Sequence, residues 1–159
     1  MKRILIISGT ALTLLSISTA ALASTTTGTI AVSATIQAAC SITTNPIDFG
    51  VYNSTLDTVS PKLVVTCTNT LPYTVGLNAG TTSGGTVTQR LMKSGSNTLQ
   101  YNIFQDSNFQ NVWGNTTGSW VSGTGNGQAQ ELTMYAKIPA GIFNPAGAYT
   151  DTVTATVTY

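Results

Sequence analysis

Apolar and polar residues alternate along most of this chain. In residues 28–36, GTIAVSATI, the side chains of Ile30, Val32, Ala34 and Ile36 fall on one side of an extended chain and Thr29, Ala31, Ser33 and Thr35 on the other, because strand side chains alternate with period two. The same period runs through residues 61–69 (Leu63, Val65, Cys67), 72–80 (Tyr73, Val75, Leu77), 97–106 (Leu99, Tyr101, Ile103) and 130–141 (Leu132, Met134, Ala136, Ile138). Each predicts a half-buried strand. Residues 79–86, 93–97, 114–119 and 122–128 are rich in Gly, Ser, Thr and Asn and read as loops or turns. Residues 149–159, YTDTVTATVTY, carry Thr at every even position and Tyr149, Asp151, Val153, Ala155, Val157 and Tyr159 at the odd ones, so one face is expected inward and the other wet. Strands at this spacing predict an all-β sandwich.

The two ends of the pattern raise a problem of partners. Residues 28–36 present an apolar face, yet terminal segments fray unless something ties them down. They are either an ordinary first strand of their own sheet or a strand without a place in it. The last strand has nothing after it to cover its free edge, and an open apolar edge invites association.

Before residue 24 the composition changes. Lys2 and Arg3 precede an apolar run over residues 4–15, and Ala21-Leu22-Ala23 ends the stretch with small residues. This is the pattern of a secretory signal, residues 1–23, cut between Ala23 and Ser24. Ser and Thr interrupt the run and no basic stop-transfer cluster follows, which argues against a membrane anchor and against membrane insertion of the mature chain. What remains is 136 residues, enough for one domain.

That mature chain has four basic residues (Lys62, Arg90, Lys93, Lys137) against five acidic ones (Asp48, Asp57, Asp106, Glu131, Asp151), a formal charge of −1. Four scattered cations make no basic stripe, so nucleic acid is not an expected partner. Cys40 and Cys67 are the two cysteines of an exported chain and are expected to form a disulfide that staples the first folded strand to the second and leaves residues 24–36 free.

Catalytic chemistry has little to stand on. There is no histidine, and the five carboxylates are far apart in sequence. Two cysteines without histidine make a poor metal site, and residues 106–111, DSNFQN, lack the glycine and closing glutamate of a calcium loop. No catalytic residue, metal or cofactor is expected. Trp113 and Trp120 could stack on sugar rings, although a large aromatic in VWGN (residues 112–115) is more often part of a core or laid over a turn.

Taken in order, GTIAVSATIQAAC, IDFGVY (47–52), VVTCTN (64–69), the strand of residues 99–106, VWGN and the closing residues 134–159 resemble the spore coat protein U domain, which serves as the pilin of archaic chaperone-usher pili. Cys40, Phe49-Gly50, Cys67, Trp113-Gly114 and Tyr149-x-Asp151 carry the resemblance jointly, over essentially the whole mature chain. It implies an incomplete immunoglobulin-like β-sandwich, residues 38–159, that lacks its last strand. Beside the C-terminal strand an open hydrophobic cleft is implied, with Val153, Ala155, Val157 and Tyr159 on its wall. A periplasmic chaperone, and then the N-terminal strand of a neighbouring subunit, would fill it. Residues 24–37 would be that donor strand, placing Ile30, Val32, Ala34 and Ile36 in a neighbour's cleft by strand addition to a sheet edge. An outer-membrane usher, export through the periplasm to a surface pilus, and a role in attachment and biofilm formation follow from the same resemblance. A carbohydrate-binding adhesin and a spore-coat structural protein are the alternatives of this fold. A tip adhesin would be expected to carry an additional domain and to need no donor strand.

Overall fold

The computed structural model describes residues 22–159; the expected signal, apart from Leu22 and Ala23, lies outside the described residues. Ala23 and Ser24, on either side of the expected cut, are exposed. Residues 35–159 form one unit. Its strands, with no helix among the described residues, are β1 (Cys40–Thr44), β2 (Asp57–Val59), β3 (Lys62–Cys67), β4 (Pro72–Leu77), β5 (Arg90–Ser94), β6 (Asn97–Phe104), β7 (Val121–Thr124), β8 (Ala129–Thr133), β9 (Tyr135–Ile138) and β10 (Ala155–Thr158).

All strand pairings are antiparallel. One layer contains the orders β1-β3-β8 and β2-β9-β6-β5. These two orders join end to end, since β2 against β9 and β3 against β8 keep a single register: Thr58 faces Lys137 and Lys62 faces Thr133. Pro61 stands at the joint. It has no N–H to give the ladder, but its carbonyl accepts from Met134 N at 2.8 Å and holds the halves in line. The other layer is β10-β4-β7.

Between the layers lies one core. Leu63, Val65 and Cys67 of β3, Tyr73, Val75 and Leu77 of β4, Leu99, Tyr101 and Ile103 of β6, and Met134, Ala136 and Ile138 are all buried, on the faces that the alternation assigned to them. Trp113 completes it at 1% exposure. Its indole N–H donates to Val75 O at 2.8 Å, which satisfies the one polar atom that burial would otherwise orphan.

Several sequence expectations need correction. Residues 122–128 are not all loop, because Val121–Thr124 is β7 and pairs with β4. Its Ser-Gly-Thr composition disguises a strand whose glycine is required by packing: a Cβ at Gly123 would come within 2.5 Å of the Tyr73 ring. Residues 93–97 are largely strand as well, with the chain reversing at Gly95-Ser96 between Ser94 and Asn97. Gly95 has φ +59°, the left-handed conformation that glycine adopts without strain. The strand expected over residues 130–141 is interrupted at Met134, opposite Pro61. At the end of the chain, ladder pairing covers only Ala155–Thr158, with a separate bridge from Thr150 to Lys93.

Cys40 and Cys67 are disulfide-bonded, opposite one another in the β1–β3 ladder. The partner strand is the third in chain order, because β2 intervenes. Residues 22–39 belong to no strand.

Candidate functional site

Where an ordinary sandwich would be closed, this one is open along one side. Two adjoining clefts, of about 730 and 510 Å³, share Ile47, Asp48, Phe49, Met92 and Tyr149 in their walls. One wall of the trough is the chain that continues β1, residues 44–54, and the other is the approach to β10, residues 142–155. Its floor is the core itself, with Leu77, Tyr101, Ile103 and Met134 under the first cleft and Leu99 and Ile138 under the second.

Local chemistry fixes both walls. Gly50 turns the first wall at φ +65°, just after Phe49 sets its ring edge-on to Tyr101 at 6.3 Å. Further along, Tyr52 Oη donates to Pro139 O at 2.6 Å and Ser54 Oγ to Ile142 O at 2.8 Å, so the two walls are tied together at that end. On the opposite wall Tyr149 Oη donates to Pro145 O at 2.9 Å.

Asp151 anchors the second wall to the body. Its Oδ2 accepts from Tyr101 Oη at 2.7 Å, and its Oδ1 from Thr81 N at 2.9 Å and Thr82 N at 3.1 Å. Burial pushes this carboxyl up, but the Tyr101 hydroxyl and the N–H groups of Thr81, Thr152 and Thr82 outweigh it and hold the group below its ordinary value. The same burial, with the Asp151 bond, raises the Tyr101 phenol far above its usual range, so Tyr101 is a permanent donor.

Beneath this corner lies an unpaired-looking cation. Arg90 is 0% exposed, and its guanidinium donates to Asn78 O (2.8 Å), Val87 O (3.2 Å), Leu77 O (3.1 Å), Trp113 O (2.7 Å) and Asn102 Oδ1 (2.7 Å). All five acceptors are neutral. Desolvation lowers its pKa to about 10, opposed by the neighbouring Tyr101 oxygen and the Asp151 carboxylate, which still leaves it a cation at neutral pH. The sequence offers Arg90 only as one of four scattered cations, and no pattern in residues 86–94 marks it as buried.

Of the residues expected on the cleft wall, Val153 and Ala155 line the first cleft. Val157 and Tyr159 do not line either cleft: Val157 stands opposite Val75 in the β4 ladder, and Tyr159 is largely exposed. The wall formed by residues 44–54, and Met92 between the clefts, were missed. IDFGVY is the signal that could have found the first wall, since Phe49 and Gly50 shape it.

Ile30, Val32 and Ile36 are 89%, 90% and 87% exposed, and Ala34 is exposed too. Trp113 is in the core and offers no platform to a sugar, and Trp120 is half-buried. Asp106, in DSNFQN, has its carboxylate taken up by N–H groups of Asn108, Gln110 and Asn111. It closes its own loop. The Asn111 bond is the foremost cause of its lowered pKa.

Comparison with known proteins agrees with this architecture. Protein U of Myxococcus xanthus is 32% identical over 155 residues, which cover 86% of this chain and 87% of that protein. Among solved structures, a chain of the CsuC-CsuE chaperone-tip adhesion subunit pre-assembly complex, from archaic chaperone-usher Csu pili of Acinetobacter baumannii, matches with a TM-score of 0.61 and 32% identity. That match covers 79% of this chain and 40% of the other, so this chain spans less than half of that one. The Spore Coat Protein U domain model matches residues 26–156, a span that takes in both walls of the trough and the exposed apolar segment: the chain belongs to the spore coat protein U domain family.

Proposed function

We propose that this chain is a structural subunit of an exported chaperone-usher fibre, that its trough is an acceptor for an extended strand, and that residues 24–37 are the strand it donates to the next copy. One observation carries the reading: core residues Leu77, Tyr101, Ile103 and Met134 form the floor of an open cleft of about 730 Å³, while the same chain holds an alternating apolar segment that no strand takes up. A strand laid between the walls would close the sandwich. In this role a periplasmic chaperone lends the strand before assembly, an outer-membrane usher directs exchange, and the finished fibre stands on the cell surface and supports attachment and biofilm formation. The work is assembly, without catalysis or a cofactor. A coat built by the same exchange is the second reading, favoured by the Spore Coat Protein U domain match over residues 26–156.

Burial of Ile30, Val32 and Ile36 at about 1.5–3 kcal/mol each gives roughly 5–9 kcal/mol as an upper bound. Ladder bonds add about 1 kcal/mol apiece, and ordering the segment opposes both. Val32→Asp tests the reading, since a carboxylate in an apolar cleft costs several kcal/mol or must take up a proton. Register cannot slip by one residue to avoid it, because Thr29, Ala31, Ser33 and Thr35 would then turn inward. Cells producing only Val32→Asp should show subunit–chaperone complexes but no fibres, and normal fibres would refute the proposal.

A further inference from the structure

Resting on the acceptor reading of the trough, we infer that Met92 is an oxidation site open only while the trough is empty. Oxidants of the peroxide class convert its thioether to the sulfoxide there, and the sulfoxide weakens the hold on an extended strand. The sequence has three methionines, Met1 in the expected signal and Met92 and Met134 after it. Both of the latter line the first cleft, and Met92 lines the second as well. The two cysteines of the chain are joined in a disulfide, so no thiol competes for an oxidant. The readily oxidised sulfur of the mature chain is therefore gathered in one trough.

Position separates the two thioethers. Met134 is 4% exposed and belongs to the floor of the first cleft, at the break between β8 and β9. Met92 is half-buried on β5, opposite Leu99, and lies where the two clefts adjoin. A strand running from one cleft into the other must pass over it. An oxidant has to reach the sulfur lone pair, so access decides the rate. The sulfur attacks one oxygen of a peroxide and the O–O bond breaks; sulfur keeps that oxygen, the other leaves as water or alcohol, and two electrons pass from sulfur to the oxidant. An apolar side chain that adapts to whatever covers it becomes a polar one whose oxygen needs a donor. The side chains that share both clefts with Met92 offer none. Ile47 and Phe49 are apolar, Asp48 presents a carboxylate that accepts from Gly50 N at 2.8 Å, and Tyr149 Oη already donates to Pro145 O at 2.9 Å. Water hydrates the sulfoxide while the trough is open and must leave when a strand closes it. The oxygen is then a buried acceptor without a partner.

The test uses the full Val32→Asp chain with its disulfide intact, so that troughs are not filled by other copies. It is treated with dilute hydrogen peroxide, alone or under a saturating peptide of residues 25–37, which contains no methionine. Mass spectrometry of proteolytic fragments follows the oxygen added at Met92 and at Met134. Without peptide Met92 should oxidise about tenfold faster than Met134, and peptide should slow Met92 about tenfold, because access to the sulfur is what changes. The oxidised chain should bind the peptide about tenfold more weakly, equivalent to ~1.4 kcal/mol. Methionine sulfoxide reductase should restore the affinity. Met92→Gln, polar without any oxidant, should bind weakly from the start, and the affinity of Met92→Leu, whatever its value, should not change with peroxide. Equal rates at Met92 with and without peptide would overturn the inference and leave the acceptor trough standing. So would full oxidation of Met92 with unchanged peptide affinity, or a Met92→Leu chain that loses affinity on treatment as the parent does. An untreated chain that does not bind the peptide would remove the acceptor reading itself, and the inference with it.

Discussion

Replacing Arg90 with leucine removes the one side chain that joins Asn78, Leu77, Val87, Asn102 and Trp113 at the closed end of the core. Two effects oppose each other. The lowered pKa of the guanidinium, to about 10, corresponds to a desolvation cost of about 3 kcal/mol that leucine would relieve. Against it, Leu77 O, Trp113 O and Asn102 Oδ1 lose buried bonds at 3.1, 2.7 and 2.7 Å, and each acceptor left without a partner costs about 1–3 kcal/mol. Asn78 O and Val87 O, closer to the surface, can turn to water. Leucine also fills less of the space. Three such acceptors cost about 3–9 kcal/mol together, so after the relieved desolvation the net loss is about 3 kcal/mol, the middle of a range from near zero to about 6. Urea unfolding of the subunit complexed with the peptide of residues 25–37 measures it, because every sample then has a closed core. With a slope of about 1–3 kcal/mol per molar, typical of small domains, the midpoint should fall by about 1–3 M. Arg90→Lys keeps the charge but cannot reach several acceptors at once from one ammonium, and should fall between the two. A midpoint for Arg90→Leu within about 0.3 M of wild type would show that the five bonds contribute nothing net and that the core tolerates an apolar side chain in their place.

Two further predictions follow from the trough and its surroundings. Because the folded-state pKa of Asp151 is depressed, its contribution is complete above the unfolded value of about 3.9 and is lost as pH falls through the folded one; below about pH 4, Asp151→Asn should lose stability less steeply than wild type in unfolding scans. Asp106, also depressed, should keep part of the acid slope in both proteins, so identical slopes would refute the role given to Asp151. Gly125→Ala would place a Cβ 2.3 Å from Thr68 O and 2.8 Å from Cys67 Cβ, at the end of β3 that holds residues 37–40. The backbone must shift, and a loss of about 1–3 kcal/mol is expected, with faster amide exchange at Thr68 and Ala39 than elsewhere in the β1–β3 ladder; unchanged exchange there would refute the coupling.

The fold was legible where burial follows alternation, and it was obscured where a residue's role depends on what approaches it. Leu63, Val65, Tyr73, Val75, Leu77, Tyr101 and Ile103 could be placed in the core from period two alone, since only one face of each strand is apolar enough to bury. β7 was hidden because Gly123 reads as a turn, whereas it is glycine so that Tyr73 can lie across the strand. Arg90 was hidden for a stronger reason: its burial needs five acceptors from separate stretches of chain, and no local pattern announces a long-range convergence of carbonyls. The trough shows the same division. Its apolar floor and the positions Val153 and Ala155 repeat the strand pattern, but the first wall, residues 44–54, is mostly irregular and carries Pro46, Asp48 and Gly50, which by composition reads as loop. An irregular wall also leaves the backbone beside the trough without the ladder that a neighbouring strand would provide. Chain alternation therefore identifies what can be buried, while the gap that needs burying is visible only when the walls are brought together. Among the described residues Ile30 to Ile36 is an apolar alternation outside any strand, and on the proposed reading it is the segment that fills the trough of another copy.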